Sequence, residues 1–168
     1  FVFPYVETET GWTVSDKAVS KVFIKMSQDG SLETVFYDGK IGTPDQLMEM
    51  LKSPLIHPLF IVVNGNVMGI AWLNGLSANS AFAHFCLFKE AWGKYTEEIG
   101  QEVLKYWFQF PGKDGPLFDV LLGLIPTFNK QAIKFIEKLG FVIVGEIPLV
   151  VSHRGEKCSA TLSYILRK

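Results

Sequence analysis

The clearest pattern of apolar and polar positions runs over residues 117–141. Residues 118–125 are almost continuously apolar. Such a run suits a strand covered on both faces, although period alone does not separate it from a buried helix. Pro126 has no N–H to give and closes the run. Thr127 and Asn129 are of the kinds that cap helix starts. Ala132, Ile133, Phe135, Ile136 and Leu139 then fall on one helical face, with Lys130, Lys134, Glu137 and Lys138 on the other. Gly140 stands where helices commonly stop in the left-handed conformation, and Phe141 opens another apolar run.

The same reading extends along the chain. Residues 1–14 suit an opening strand or arm. Ser15 or Asp16 caps a helix running to about Met26, with Val19, Val22, Phe23 and Met26 as its stripe and Asp29-Gly30 as its break. Residues 32–37 read as a short strand. Thr43-Pro44-Asp45-Gln46 is a helix start, with Thr43 as cap, Pro44 at the first helical position and Gln46 closing a capping box. Leu47, Met50 and Leu51 face its core side. Asn64-Gly65-Asn66 joins two strands over residues 59–63 and 67–73, since Asn and Gly accept the positive φ of a tight turn. Residues 78–80 turn again into a strand over 81–88. A helix over Thr96–Phe108 carries Ile99, Val103, Leu104 and Trp107 inward, and residues 110–116, rich in Gly and Pro, form a loop. A strand begins at Val142 and is interrupted at Pro148. His153-Arg154-Gly155-Glu156 is a hairpin tip, and residues 160–166 are the last strand. The order is helix, helix, three antiparallel strands, helix, strand, helix, two strands.

Composition narrows the function classes. The chain has 168 residues, 48% of them hydrophobic, which matches one globular domain over 1–168 with a sizeable core. A net charge of −1 gives no global attraction for nucleic acid or an anionic membrane. No apolar run is long enough to span a bilayer, and a cytoplasmic location is the expectation. His57, His84 and His153 share no metal-ligand spacing with one another or with Cys86 and Cys158, so no metal is expected. Cys86, inside an apolar strand, reads as a small buried hydrophobe.

Residue identities add to the pattern. Asn129, Ala132, Phe135 and Leu139-Gly140-Phe141 resemble the N-x-x-A-x-x-F-x-x-x-L-G-F signature of the GCN5-related N-acetyltransferases. The resemblance is nearest the branch that modifies ribosomal proteins, because Gly93–Glu97, GKYTE, is similar to that branch's G-x-G-Y-A-T-E after a shortened loop. It implies an α/β fold with a mixed, mostly antiparallel sheet flanked by helices, its fourth and fifth strands splayed. It also implies acetyl-CoA as co-substrate and direct transfer to a primary amine. The cofactor residues it points to are Leu87 and Phe88 at the strand end, Trp92, Gly93, Lys94, Tyr95 and Thr96 in the pyrophosphate loop, and Asn129 beside the pantetheine arm. An anion at such a loop meets free helix-start amides and the positive end of the dipole.

Aligned with the family's R/Q-x-x-G-x-G/A loop without a gap, Trp92 stands where the family carries Arg or Gln, and Tyr95 and Glu97 stand where it carries small residues. Ile136 stands where many relatives carry the Tyr that protonates the leaving thiolate. His84 is the candidate base, with a hydrogen-bonded core histidine as the other reading. The two departures keep a second function open, a non-catalytic protein of this fold that binds CoA or a protein partner. The acceptor is unnamed by the sequence, and a homodimer is left open.

Overall fold

The computed structural model describes residues 1–93 and 95–168. Among them, seven strands form one sheet: β1 (Val2–Pro4), β2 (His57–Val63), β3 (Asn66–Ser77), β4 (Ser80–Leu87), β5 (Val120–Pro126), β6 (Val142–His153) and β7 (Glu156–Leu166). Their spatial order is β1-β2-β3-β4-β5-β7-β6. Every neighbouring pair is antiparallel except β4 with β5. The helices are α1 (Asp16–Asp29), α2 (Leu32–Val35), α3 (Pro44–Lys52), α4 (Thr96–Phe108) and α5 (Lys130–Leu139).

The helices begin and end by local chemistry. The Ser15 hydroxyl accepts from the Ala18 N–H, Thr43 from Gln46, and Asn129 from Ala132. Gln46 reaches back to the N–H of Gly42, one residue before the expected capping-box partner. Gly30 and Gly140 close α1 and α5 with φ of 72° and 95°. The β2–β3 turn uses Asn64 and Gly65 at φ 52° and 79°, the two positive values of a twisted two-residue hairpin.

Alternating side chains of the strands divide the core between the two sheet faces. One face packs Leu59, Ala71, Leu87 and Leu121 under α4 and α5 with Val103, Trp107, Ile136 and Leu139. The other packs Phe60, Ile70, Trp72, Cys86 and Phe88 under α1 and α3 with Val22, Met26, Leu47 and Leu51.

One expectation changes. Residues 32–37 form no strand: Leu32–Val35 is the single turn α2, and the chain bends after it. Leu32, Val35 and Phe36 sit at i, i+3 and i+4 and turn toward the second core, which is helical spacing. Phe36 stacks on Trp72 at 5.4 Å and 15°, so the segment lies over a sheet face and not at an edge. The interruption expected at Pro148 is a break of register within one strand, β6: pairing with β7 shifts between Ile147 and Val151, with Leu149 at φ 56°.

Candidate active site

β4 and β5 pair only through Ser80–Val120, Ala81–Leu121 and Phe82–Leu122, and then diverge. The Phe88 N–H donates to the Met68 carbonyl at 2.8 Å while Leu87 lies opposite Gly69. That combination makes Gly69–Leu87 a non-hydrogen-bonded pair. The backbone groups of Leu87, and of Phe85 two residues earlier, therefore turn away from β3 into the gap. Gly69 is required there, because a Cβ would lie 2.2 Å from the Cys86 carbonyl oxygen.

A short 3₁₀ turn, Lys89–Ala91, carries the chain from β4 to α4. Gly93 bends it at φ 80°. The Gly93 N–H donates to the Thr96 hydroxyl oxygen at 2.8 Å, and that hydroxyl donates to the Ala91 carbonyl at 3.1 Å. The N-cap residue of α4 is Tyr95, whose side chain makes no capping hydrogen bond. The first amides of α4 thus carry the positive end of the dipole toward the loop. Glu97 and Glu98 in the first turn work against an anion there. Lys94 lies outside the described residues.

Between this loop, β4 and α5 is a cleft of about 430 Å³. Leu87, Trp92, Gly93 and Thr96 form one wall. Asn129, Gln131, Lys134 and Lys138 form the other, and Asp29 and Ser31 close the side. Burial raises the Asp29 carboxyl, but the Lys89 N–H and the Lys25 ammonium outweigh it and hold the group below its usual range. A second cavity, about 90 Å³, lies at the vertex of the splay among Trp72, His84, Gly123, Ile136 and Tyr37. Thr34, Val35, Phe85, Asn129, Ala132 and Phe135 line both, so the two meet beside Asn129.

His84 projects into the smaller cavity. Its ring lies flat on Trp72 at 5.0 Å and 6°, and Nε2 is 2.9 Å from the Asn74 amide oxygen. Burial pushes its pKa down to about 4, so it is neutral at pH 7. Tyr37 comes from the segment after α2, and its phenol is raised by burial and then by Asp38. The β6–β7 tip pins that segment: the His153 Nδ1–H donates to the Tyr37 carbonyl at 3.2 Å, and Arg154 pairs with Glu33.

The structure gathers Leu87, Trp92, Gly93, Thr96 and Asn129 around one cleft and His84 around the adjoining cavity. Two sequence-derived candidates fall elsewhere. The Phe88 amide is spent on Met68, and its ring is buried in the second core, because odd and even residues of β4 face opposite sides. Tyr95 packs against the first core. Thr34, Tyr37, Gln131, Lys134 and Lys138 were not expected. The last three share a signal, the i, i+3, i+7 spacing of one helical stripe, but a lysine stripe beside an apolar face reads equally as a solvated one.

Solved structures share the whole architecture. A spermidine N-acetyltransferase from Vibrio cholerae, in complex with CoA and spermine, is similar at TM-score 0.72 and 14% identity over 98% of this chain and 95% of that one. A ribosomal-protein-S5-alanine acetyltransferase from Vibrio fischeri gives 0.70 and 14% over 91% and 90%. A ribosomal L7/L12 α-N-protein acetyltransferase with coenzyme A gives 0.73 and 8% over 91% and 90%. Neither a protein-family model nor a curated protein sequence matches the chain. The splayed β4 and β5, the helix order and these three likenesses agree, and the chain has the fold of the GCN5-related N-acetyltransferases.

Proposed function

We propose that this chain is an acetyl-CoA-dependent N-acetyltransferase that passes the acetyl group directly to a primary amine. The observation that carries the reading is the gap between β4 and β5. Its wall presents the backbone of Phe85 and Leu87, its mouth the start of α4, and its far side Asn129. Such a gap fits a pantetheine arm, whose amides pair with strand backbone that β3 leaves unpaired, as a peptide adds to a sheet edge, the Leu87 carbonyl being shared with the Trp92 indole. Lys134 and Lys138 supply positive charge beside the α4 amides for the phosphates. Acetyl-CoA supplies a thioester that takes an amine's lone pair. The Leu87 N–H, turned into the gap, is the donor placed to polarise its carbonyl.

No cysteine serves as a relay in this reading. Cys86 borders the cleft, but burial pushes its thiol up to about 12, and a protonated thiol is a poor nucleophile. Ile136 is 4% exposed and has no proton to give. The leaving thiolate therefore departs unassisted by that position, which is tolerable for a group titrating near 8.5.

The test is binding followed by turnover. Acetyl-CoA at a hundred times its dissociation constant stabilises the fold by about 2.7 kcal/mol, a rise of roughly 2–4 °C per kcal/mol in melting temperature. No shift at millimolar acetyl-CoA overturns the reading. Gly93→Val should weaken CoA while a pantetheine fragment without the pyrophosphate loses little. The buried Ile136, with no proton to give, favours a second reading, a CoA-binding protein without turnover. Thiol release with any amine rejects it.

A further inference from the structure

We infer that the acceptor is a weakly basic primary amine carried on an apolar or aromatic group, not a polyamine or a lysine side chain. The inference rests on the acetyltransferase reading and concerns the smaller cavity of that same site. Among the described residues lining it, none carries a carboxylate. Its walls are aromatic and aliphatic: Trp72, Phe85, Phe135, Ile136 and Phe141, with Tyr37. Its polar side chains are mostly engaged. His84 Nε2 meets Asn74, the Asn129 Oδ1 accepts the Ala132 N–H, and the Thr34 hydroxyl donates to the Ser31 carbonyl. Of the carboxylates flanking it, Glu33 pairs with Arg154 and Asp38 with Lys40 outside the cavity, and Asp29 pairs with Lys25 in the larger cleft.

A polycation entering such walls would leave water with no counter-charge, which is costly even beside aromatic faces. The reacting nitrogen must also arrive without its extra proton, since an ammonium has no lone pair. The cavity offers it no base matched to a strongly basic amine. His84 is neutral, but with a pKa of about 4 it holds a proton far more weakly than any aliphatic amine does. The acceptor's own acidity then decides. An α-amine titrating near 7.7–8.0 is about one-tenth free base at pH 7. An ε-amine near 10.4 is free base in roughly one molecule in two thousand. The two classes are separated by about 10²-fold before any contact is made.

The experiment measures thiol release from acetyl-CoA at pH 7 with phenylalaninamide, Nα-acetyl-lysine amide and spermidine. The expected kcat/KM for phenylalaninamide exceeds that of the other two by about 10²-fold. Equal or faster turnover of spermidine or the lysine derivative overturns the inference. So does a protein that binds acetyl-CoA, by the thermal shift above, yet fails to turn over phenylalaninamide. Absence of that shift overturns the underlying reading instead. A second variant installs the missing charge. Thr34 lies exposed on α2 at the cavity wall, and Thr34→Asp should move the spermidine-to-phenylalaninamide ratio at least about tenfold toward spermidine. An unchanged ratio in the folded variant overturns the inference.

Discussion

The indole Nε1–H of Trp92 donates to the Leu87 carbonyl at 2.9 Å, tying the last residue of β4 to the loop that leads into α4. Leu87 is the strand residue whose backbone turns into the β4–β5 gap, so the bond fixes one edge of the candidate cofactor site. Trp92 is 40% exposed and borders the cleft. This chain thus uses an aromatic donor to brace the loop.

Trp92→Phe keeps most of the ring and removes the donor. The expected loss is about 0.5–1.5 kcal/mol of stability, the net worth of one hydrogen bond. It should appear as a fall of a few degrees in melting temperature, together with weaker acetyl-CoA binding. Unchanged values for both would show that the bond holds nothing in place.

Gly69→Ala should be far more damaging than an ordinary surface change. Its Cβ would meet the Cys86 carbonyl oxygen at 2.2 Å and the Leu87 Cα at 3.0 Å, both backbone atoms that cannot swing aside. Opening the β3–β4 ladder there should cost at least about 2 kcal/mol in urea unfolding. Gly155→Ala, in the β6–β7 turn with nothing within 4 Å, is the control and should cost only the strain of its φ of 81°.

His84 gives a pH signature. Its folded pKa, about 4, lies below the usual 6.5, so between those values the unfolded chain binds more protons than the folded one. Stability is therefore unaffected by His84 above about pH 6.5 and falls as pH drops toward 4. The total loss approaches 3 kcal/mol, taking ~1.4 kcal/mol per unit. His57 is pushed down by burial in the same direction, so the comparison is with His84→Gln and not with a flat line. Urea midpoints from pH 7 to 4.5 should fall more steeply in the parent protein. Parallel slopes would mean that His84 is solvated enough to titrate normally.

Ile136→Tyr places a phenol where the resemblance in sequence implies the acid for the leaving thiolate. Ile136 borders the 90 Å³ cavity, so the ring has some space, but the residue is also part of the α5 core face. The expected outcome is about 1–3 kcal/mol of lost stability from overpacking, with faster thiol release from acetyl-CoA. A folded variant no faster than the parent would mean that thiolate departure does not limit the rate.

Helix starts, helix stops and the two tight turns were legible because they depend on neighbours in the chain. Thr43 before Pro44, Asn129 before α5, Gly140 after it and Asn64-Gly65 each specify a local dihedral or hydrogen bond that no distant residue has to supply. Thr96–Phe108 was readable as a helix from the spacing of Ile99, Val103, Leu104 and Trp107, since its N-cap Tyr95 makes no side-chain capping bond. The Asn129–Phe141 signature also implied the fold, and through it the splay of β4 and β5, and it led to five of the residues around the cleft. What the tertiary structure decided was orientation. The face that Phe88 presents, the direction of the Leu87 backbone and the placement of Phe36 over Trp72 depend on register and on strands far away in sequence. Tyr37 and Thr34 reach the cavity only because α2 lies across the sheet, and the segment is held there by Arg154 and His153, more than a hundred residues later. No local pattern encodes such a contact. A single turn of helix carries too few residues to show its period, and the groups that pin it are polar side chains at a hairpin tip, which in sequence look like any other turn.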